Sequence, residues 1–392
     1  MVREIAIQLY LFVFKILFNI AKIFTLQEKI VFVTSFPENN IAVNEALKKK
    51  NNSLQTVFLC RKNCYQSVKA ESTTANAYYF ETPNIKHSIL SIYHLATAKI
   101  VIVDNYYGFL ATVKFKKSVQ CIQVWHAAGA IKKFGLEDES NKYRSPKAMK
   151  RFKKVYQQFH KVLVGSEKMA TIFQKAFGLA EENMLPLGIP RTDFFYDERK
   201  HEQIRKQFYE AYPELKGKKI ILYAPTFRDE EQTIAIHIEK FKAGLGEKFA
   251  LLFRLHPLVA NALNINNDGF VYNFSSYPKV NDLLIIADYL ITDYSSIPYE
   301  FALLEKPMIF YPYDIEKYTE KRGLWGEYEH LVPGPVVYSS EEIIKVILTN
   351  NYDLEKISQF KNEWNTYSQG HSSDRFGQYL LKSVQLETKQ AH

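Results

Sequence analysis

Short, almost wholly apolar runs alternate with amphipathic stretches along most of the chain. Runs that brief and that uniformly apolar read as strands buried on both faces of a parallel sheet, and the stretches between them as the crossover helices. The pattern predicts strands over residues 29–36, 56–60, 99–104 and 118–124, with helices over 43–50 and 87–97 between them. A basic amphipathic helix over 146–160, a strand over 162–165 and a helix over 166–177 follow. The segment Leu185-Pro-Leu-Gly-Ile-Pro-Arg191 then breaks the alternation with two prolines and a glycine, the composition of a linker. A second set begins beyond it, with strands over 218–223, 249–254, 289–292 and 307–311 and helices over 280–287 and 297–305. From about residue 340 the tail reads as helices. The chain is thus expected to be α/β, with doubly wound domains over 25–188 and 189–365 and a C-terminal helix over 366–392.

The first 24 residues follow another rule. Nearly every position from Ile5 to Phe24 is apolar, but Glu4, Gln8, Lys15, Asn19 and Lys22 interrupt. At about 100° per residue these five fall within a sector of about 60° on one side of a helix. A spanning helix needs about 20 apolar residues and tolerates a central lysine poorly, and no small-residue cleavage site follows. The expectation is an in-plane amphipathic membrane helix over 1–24, with Lys15 and Lys22 on its polar side. A helix packed against the protein itself is the alternative.

Composition sharpens this picture at two points. The 392-residue chain is 47% hydrophobic and carries a formal charge of +9. Between Lys114 and Lys161 lie thirteen basic residues against three acidic ones, so that segment alone accounts for the excess. Such a field suits an anionic partner, although a solvated helical face has the same composition. The three cysteines, Cys60, Cys64 and Cys121, lack the paired spacing of a zinc site.

The candidate chemistry sits where strands end. The run 118–124 delivers His126 onto Ala127-Ala-Gly129, small residues that let another molecule approach the backbone, and Lys132 and Lys133 follow. In the second half Arg228 and His256 each lie just past a strand. Ser295 and Ser296 open a helix whose free N–H groups suit a phosphate, and Glu300 lies one turn further on. No Gly-x-Gly-x-x-Gly, Walker loop or Asp-x-Asp pair is present, which weighs against dinucleotide oxidoreductases, P-loop NTPases and a metal-held diphosphate. A leaving phosphate would then be stabilised by cations and helix ends, with no metal and no cofactor expected.

Five blocks occur in one order: Trp125-His-Ala-Ala-Gly-Ala-Ile-Lys-Lys-Phe-Gly135, Ala224-Pro-Thr-Phe-Arg228, Arg254-Leu-His-Pro257, Leu290-Ile-Thr-Asp-Tyr-Ser-Ser296 and Gly370-His-Ser-Ser-Asp-Arg375. With Phe310-Tyr-Pro-Tyr-Asp-Ile-Glu-Lys-Tyr318 and Arg322-Gly323, they resemble the CDP-glycerol glycerophosphotransferases of teichoic acid synthesis from about residue 25 to 380. Polymerases of that family usually carry His-Gly-Thr-Pro-Leu-Lys where this chain has His126-Ala-Ala-Gly-Ala-Ile-Lys132, and this variant, with the short length, is similar to the priming TagB/TarB members.

The resemblance implies a GT-B-like fold, with two Rossmann-like domains facing a cleft and the C-terminal helix packing back over it. It implies transfer of glycerol phosphate from CDP-glycerol to a hydroxyl of an undecaprenyl-diphosphate-linked disaccharide of GlcNAc-ManNAc type, at the cytoplasmic face of the membrane. His126 would be the general base and His256 would stabilise the phosphates. Arg228, Thr292, Asp293, Ser295, Ser296, Ser372, Ser373 and Arg375 would hold the diphosphate, and Asp314 and Arg322 the glycerol. Glu300 would take the ribose, and Gly129, Lys132 and Lys133 the anionic acceptor. A histidine near its ordinary pKa would suit proton abstraction at neutral pH. A glycerol-phosphate polymerase or second primer of the same family stays open, and so do two readings outside it: a GT-B glycosyltransferase acting on a lipid-linked acceptor, and a basic membrane-attached nucleic-acid-binding protein. Against the second, the basic segment lacks interleaved aromatics and no helix-turn-helix or finger spacing is visible.

Overall fold

β-branched and aromatic side chains dominate the apolar runs, and they suit a pleated surface covered on both sides. The computed structural model describes residues 2–72, 75–228, 234–256, 259–260 and 267–390. These fold into two units, one of residues 1–128, 134–193 and 365–392, the other of residues 129–133 and 194–364. Both are α/β with parallel sheets.

The first sheet contains β1 (Gln27–Thr34), β2 (Gln55–Cys60), β3 (Asn76–Tyr79), β4 (Ala98–Val103), β5 (Gln120–Gln123), β6 (Lys161–Leu163) and β7 (Met184–Leu185), in the order β3-β2-β1-β4-β5-β6-β7. Its centre is dry: Ile30–Val33 and Ile100–Val103 pair in register and are at most 1% exposed. The winding direction reverses between β1 and β4, which opens a crevice beyond their carboxyl ends where α/β sheets take ligands. Strands β3 and β7 escaped the pattern because one is polar at its ends and the other is two residues long. The helix Pro37–Lys50 starts six residues before its predicted bound of 43. Pro37 is preorganised for a first turn, but the Glu-Asn-Asn that follows masks the apolar period. Asn39 and Asn40 are nevertheless buried, at 1% and 0%.

The second sheet contains β8 (Lys219–Tyr223), β9 (Phe249–Phe253), β10 (Val271–Asn273), β11 (Tyr289–Thr292) and β12 (Met308–Phe310), in the order β10-β9-β8-β11-β12. Here the reversal falls between β8 and β11. The predicted helix 297–305 is a five-residue α-helix, Ile297–Phe301, followed by a 3-10 turn that ends where Glu305 takes φ 51°.

Three segments are placed differently from the expected bounds. Residues 189–193 lie with the first unit, and so does the C-terminal helix Ser372–Gln390, which packs on Pro37–Lys50 and buries Phe376, Leu380 and Val384 in that unit's core. Residues 129–133, within the stretch following His126, lie with the second unit.

The first helix, Val2–Ala21, docks by one stripe. Phe14 and Phe18 are buried, with ring centroids 5.2 Å from Phe109 and 5.7 Å from Phe115, and burying two such rings contributes roughly 1.5–3 kcal/mol each. Glu4 pairs with Arg151 at 2.7 Å, and Lys22 donates to the Lys114 carbonyl at 2.8 Å. The opposite arc is apolar and exposed: Ile5, Leu9, Phe12, Val13, Ile16 and Ile20 lie between 45% and 62% exposed. Lys15 is exposed beside it.

Candidate active site

In the first unit the crevice between β1 and β4 gathers three strand exits. Trp125 leaves β5 with φ 56°, a left-handed conformation that costs a bulky residue on the order of 1–3 kcal/mol. It is held by its N–H bond to Gln123 Oε1 at 2.8 Å and by rings of Phe134, Phe173 and Phe177. This turn places the half-buried His126 ring between two aromatics, Trp125 and Phe36, each with its centroid 4.3 Å away. The His126 Nδ1 lies 2.9 Å from the Asp104 carbonyl. A carbonyl only accepts, so Nδ1 carries the proton and Nε2 has a free lone pair. Burial pushes this imidazole down to about 4, the bond to Asp104 opposing and Arg191 adding to the shift. The expectation of an ordinary histidine pKa is therefore corrected: the ring is neutral at physiological pH because its surroundings solvate the cation poorly.

Sequence reading missed two neighbours of His126. Arg191 donates to the His126 carbonyl at 3.0 Å, and its own N–H is accepted by Asn39 Oδ1 at 2.9 Å. Asn39 in turn donates to the Trp125 carbonyl at 3.0 Å. Arg191 was hidden as the last residue of a linker and Asn39 as one polar residue in a first helical turn.

In the second unit Arg228 leaves β8 and is enclosed. Its Nε and Nη2 donate to Asp314 at 3.0 and 2.8 Å, and its Nη1 donates to Asp293 at 2.7 Å and to the Thr226 carbonyl. The rings of Tyr294, Tyr313 and Tyr318 each have their centroid 5.1 Å from the guanidinium carbon. Asp293 also accepts the N–H groups of Thr226 and Tyr294 at 2.8 and 2.6 Å, and Thr292 Oγ1 donates to the Ala224 carbonyl at 2.7 Å. Direct contact of Thr292, Asp293 and Asp314 with the substrate, as expected from sequence, does not fit this arrangement. Their polar atoms are committed inside the unit, Asp314 to Arg228 and Tyr294, and the Asp293 carboxylate would in addition repel a phosphate. Arg228 likewise points its donors at two carboxylates.

The other expected donor residues are differently disposed. Ser295 is half-buried and Ser296 exposed; the Ser295 hydroxyl accepts the Ile297 N–H at 3.2 Å. His256 is exposed at the end of β9, its ring centroid 4.2 Å from that of Phe227. Glu300 is buried at 5% exposure and Arg322 is exposed.

The stretch after His126 is zipped into this second unit. Lys132 bridges Leu324, the Lys133 N–H donates to the Gly323 carbonyl at 3.1 Å, and the Trp325 N–H donates to Ile131 at 3.0 Å. A Cβ on Gly129 would clash with the Tyr299 ring. The close approach that this glycine permits is therefore made by the protein's own tyrosine. Burial pushes the Lys132 amine down to about 8, Asp293 opposing and Arg322 and Arg228 adding to the shift. Lys132 thus shares its field with the Arg228 cluster.

Ser372, Ser373 and Arg375 are corrected as a group. The N–H groups of Ser372 and Ser373, free ends of the last helix, are capped by Asp193 at 2.8 and 2.7 Å, so an internal carboxylate holds the place expected for a phosphate. Ser372 is fully buried, Ser373 Oγ donates to the Pro190 carbonyl at 3.3 Å, and Arg375 donates to the Tyr367 carbonyl. This block anchors the linker in the first unit.

The CDP-glycerol:poly(glycerophosphate) glycerophosphotransferase family model matches residues 16–382. A teichoic acid glycerol-phosphate primase of Bacillus subtilis (strain 168) is 38% identical over 359 residues, 90% of this chain and 92% of that protein. A teichoic acid poly(ribitol-phosphate) polymerase of Bacillus spizizenii is 38% identical over 72% of this chain but only 46% of its own length. The wall teichoic acid polymerase TagF, in a structure with CDPG, shares the fold at TM-score 0.81 and 21% identity over 99% of both chains. The sequence resemblance to the priming members is borne out by these matches, and the chain belongs to the CDP-glycerol:poly(glycerophosphate) glycerophosphotransferase family and is a glycerophosphotransferase enzyme.

Proposed function

We propose that this enzyme transfers one glycerol phosphate from CDP-glycerol to a hydroxyl of an undecaprenyl-diphosphate-linked disaccharide, releasing CMP, as the priming step of teichoic acid linkage-unit synthesis. The observation that carries the reading is the fixed tautomer of His126, whose unprotonated Nε2 can take the proton of the acceptor hydroxyl. The hydroxyl oxygen attacks the phosphorus that bears glycerol, and the bond from that phosphorus to CMP breaks. A ring this reluctant to be charged is a weak base in the free enzyme. The anionic diphosphate of a bound acceptor raises its basicity.

On the donor side His256, Ser295, Ser296 and Lys132 would hold the phosphates, Arg322 the glycerol and Glu300 the ribose. Lys133 would serve the anionic acceptor, on a GT-B-like scaffold. The Arg228–Asp293–Asp314 cluster would shape that surface from beneath. The reading uses no metal and no cofactor. The match to a primase over 90% of this chain and 92% of that protein supports priming, and the test is mass spectrometry of the product from CDP-glycerol and a lipid-diphosphate disaccharide. Addition of a single glycerol phosphate is expected. A ladder would make the enzyme a polymerase, and release of UDP from UDP-sugars a glycosyltransferase.

We also propose that the first helix lies in the cytoplasmic face of the membrane through its exposed arc. Deleting it would remove Phe14 and Phe18 from the fold, so substitution is the cleaner experiment. Leu9→Glu, Ile16→Glu and Ile20→Glu together are expected to weaken sedimentation with anionic vesicles at least about tenfold, because several exposed apolar side chains lose their burial in lipid. Turnover of a short-chain soluble acceptor is expected to persist. Unchanged sedimentation would sink the anchor.

A further inference from the structure

Asp104 follows β4 at the point where the first sheet reverses, and none of its surface is exposed. One carboxylate oxygen accepts the N–H groups of Ser35 and Phe36, both at 2.8 Å. The other accepts the Tyr107 hydroxyl at 2.7 Å, and Tyr107 and Ser35 are linked through their hydroxyls at 2.8 Å. A carboxylate is a costly group to bury for the sake of pinning a loop. What it pins is the loop whose Phe36 ring lies on His126, and its own peptide carbonyl accepts the His126 Nδ1–H.

We infer that Asp104 is a positioning residue for His126: its side chain holds Phe36 against one face of the imidazole while its carbonyl fixes the tautomer that leaves Nε2 free. The inference rests on the reading of His126 as the base. Without the carboxylate the exits of β1 and β4 are no longer tied together, and the histidine loses both a ring face and a stationary acceptor. Such displacement lowers the rate of a proton transfer more than it lowers binding, because a misplacement of about 1 Å can cost on the order of a hundredfold in rate.

The same group supplies a pH signature. Burial holds the Asp104 carboxyl up at about 7, against the bonds from Phe36, Tyr107 and Ser35. The ionisable groups facing it are Glu38 from the helix after β1, Tyr107 from its own loop, and Cys60 from the end of β2; Arg61 lies over the Tyr107 ring. Arg191 and Glu38 face His126 itself. Below about pH 7 the carboxyl gains a proton, which it can donate to Tyr107 while Tyr107 turns its own O–H to Ser35. The bonds to the Ser35 and Phe36 N–H groups are then no longer charge-assisted and weaken. Turnover should therefore rise as pH increases through about 7.

In the full-length enzyme, Asp104→Ala is expected to lower kcat by about tenfold to a hundredfold with KM within about threefold. Asp104→Asn, which keeps an acceptor for the two N–H groups, should restore most of the loss and abolish the inflection near pH 7. Ring 15N spectra of His126 should show the Nδ1–H tautomer in the wild type and a tautomer mixture in Asp104→Ala. An unchanged tautomer in Asp104→Ala overturns the proposal, and so does an inflection retained in Asp104→Asn; the second result decides the matter if the alanine variant does not fold. Failure of the base assignment shows separately, as near-normal turnover of His126→Ala.

Discussion

His126→Ala lowers turnover by at least about a hundredfold, the ordinary scale of general-base catalysis, while CDP-glycerol binding changes little. The expectation follows from three features of one ring. Its Nδ1–H is committed to a carbonyl, its faces are covered by Trp125 and Phe36, and its Nε2 is the only atom left to do chemistry. A histidine serving only to pack would not need a strained tryptophan to aim it. Steady-state kinetics with a soluble acceptor analogue measures the loss. A rate within a few-fold of wild type would return His126 to a packing role. The pH dependence is a second check, because kcat/KM reports the free enzyme. The limb belonging to His126 should lie near its depressed value of about 4, far from 6.5 and separable from the Asp104 inflection.

Arg228→Ala destabilises the second unit by about 3–5 kcal/mol, the range for removing one partner of a buried ion pair. Two carboxylates, with side chains 2% and 12% exposed, converge on this guanidinium, and three tyrosine rings surround it. Without it, Asp293 and Asp314 face each other uncompensated on the loops that leave β11 and β12. For a unit of this size that loss lowers the melting midpoint by on the order of 10 °C. Arg228→Lys keeps the charge but not the fork that reaches both carboxylates at once, so an intermediate loss is expected. Calorimetry of the two variants measures both. A phosphate-binding arginine at an open site would behave differently, with little change in melting and a raised KM for CDP-glycerol. That outcome would restore the role expected from sequence.

Most strands were legible because a dry parallel strand needs an unbroken apolar run, and β1, β2, β4, β8, β9, β11 and β12 each have one. The strands that were not, β3, β7 and β10, lie toward the sheets' margins or are short, where pattern is weak. Site residues divided along a similar line. His126 and His256 stand at the ends of recognisable strands. Asn39, Asp104 and Arg191 act through partners 86, 22 and 65 residues away, and no local spacing announces such bonds.

The sequence by itself determined the alternation of strands and helices, the family, and the strand-end positions where chemistry could sit, because each is written in short-range pattern. Tertiary structure decided what those residues do. It turned Arg228, Asp293 and Asp314 inward on one another, and it capped the last helix with Asp193 where a phosphate was expected. It also divided the stretch around His126, leaving the histidine with the first unit while residues 129–133 lie with the second, where Ile131, Lys132 and Lys133 pair with residues 323–325. The physical reason is common to all three. A charged or polar side chain takes whichever partner folding brings within about 3 Å, and that partner is set by packing between residues far apart in the chain.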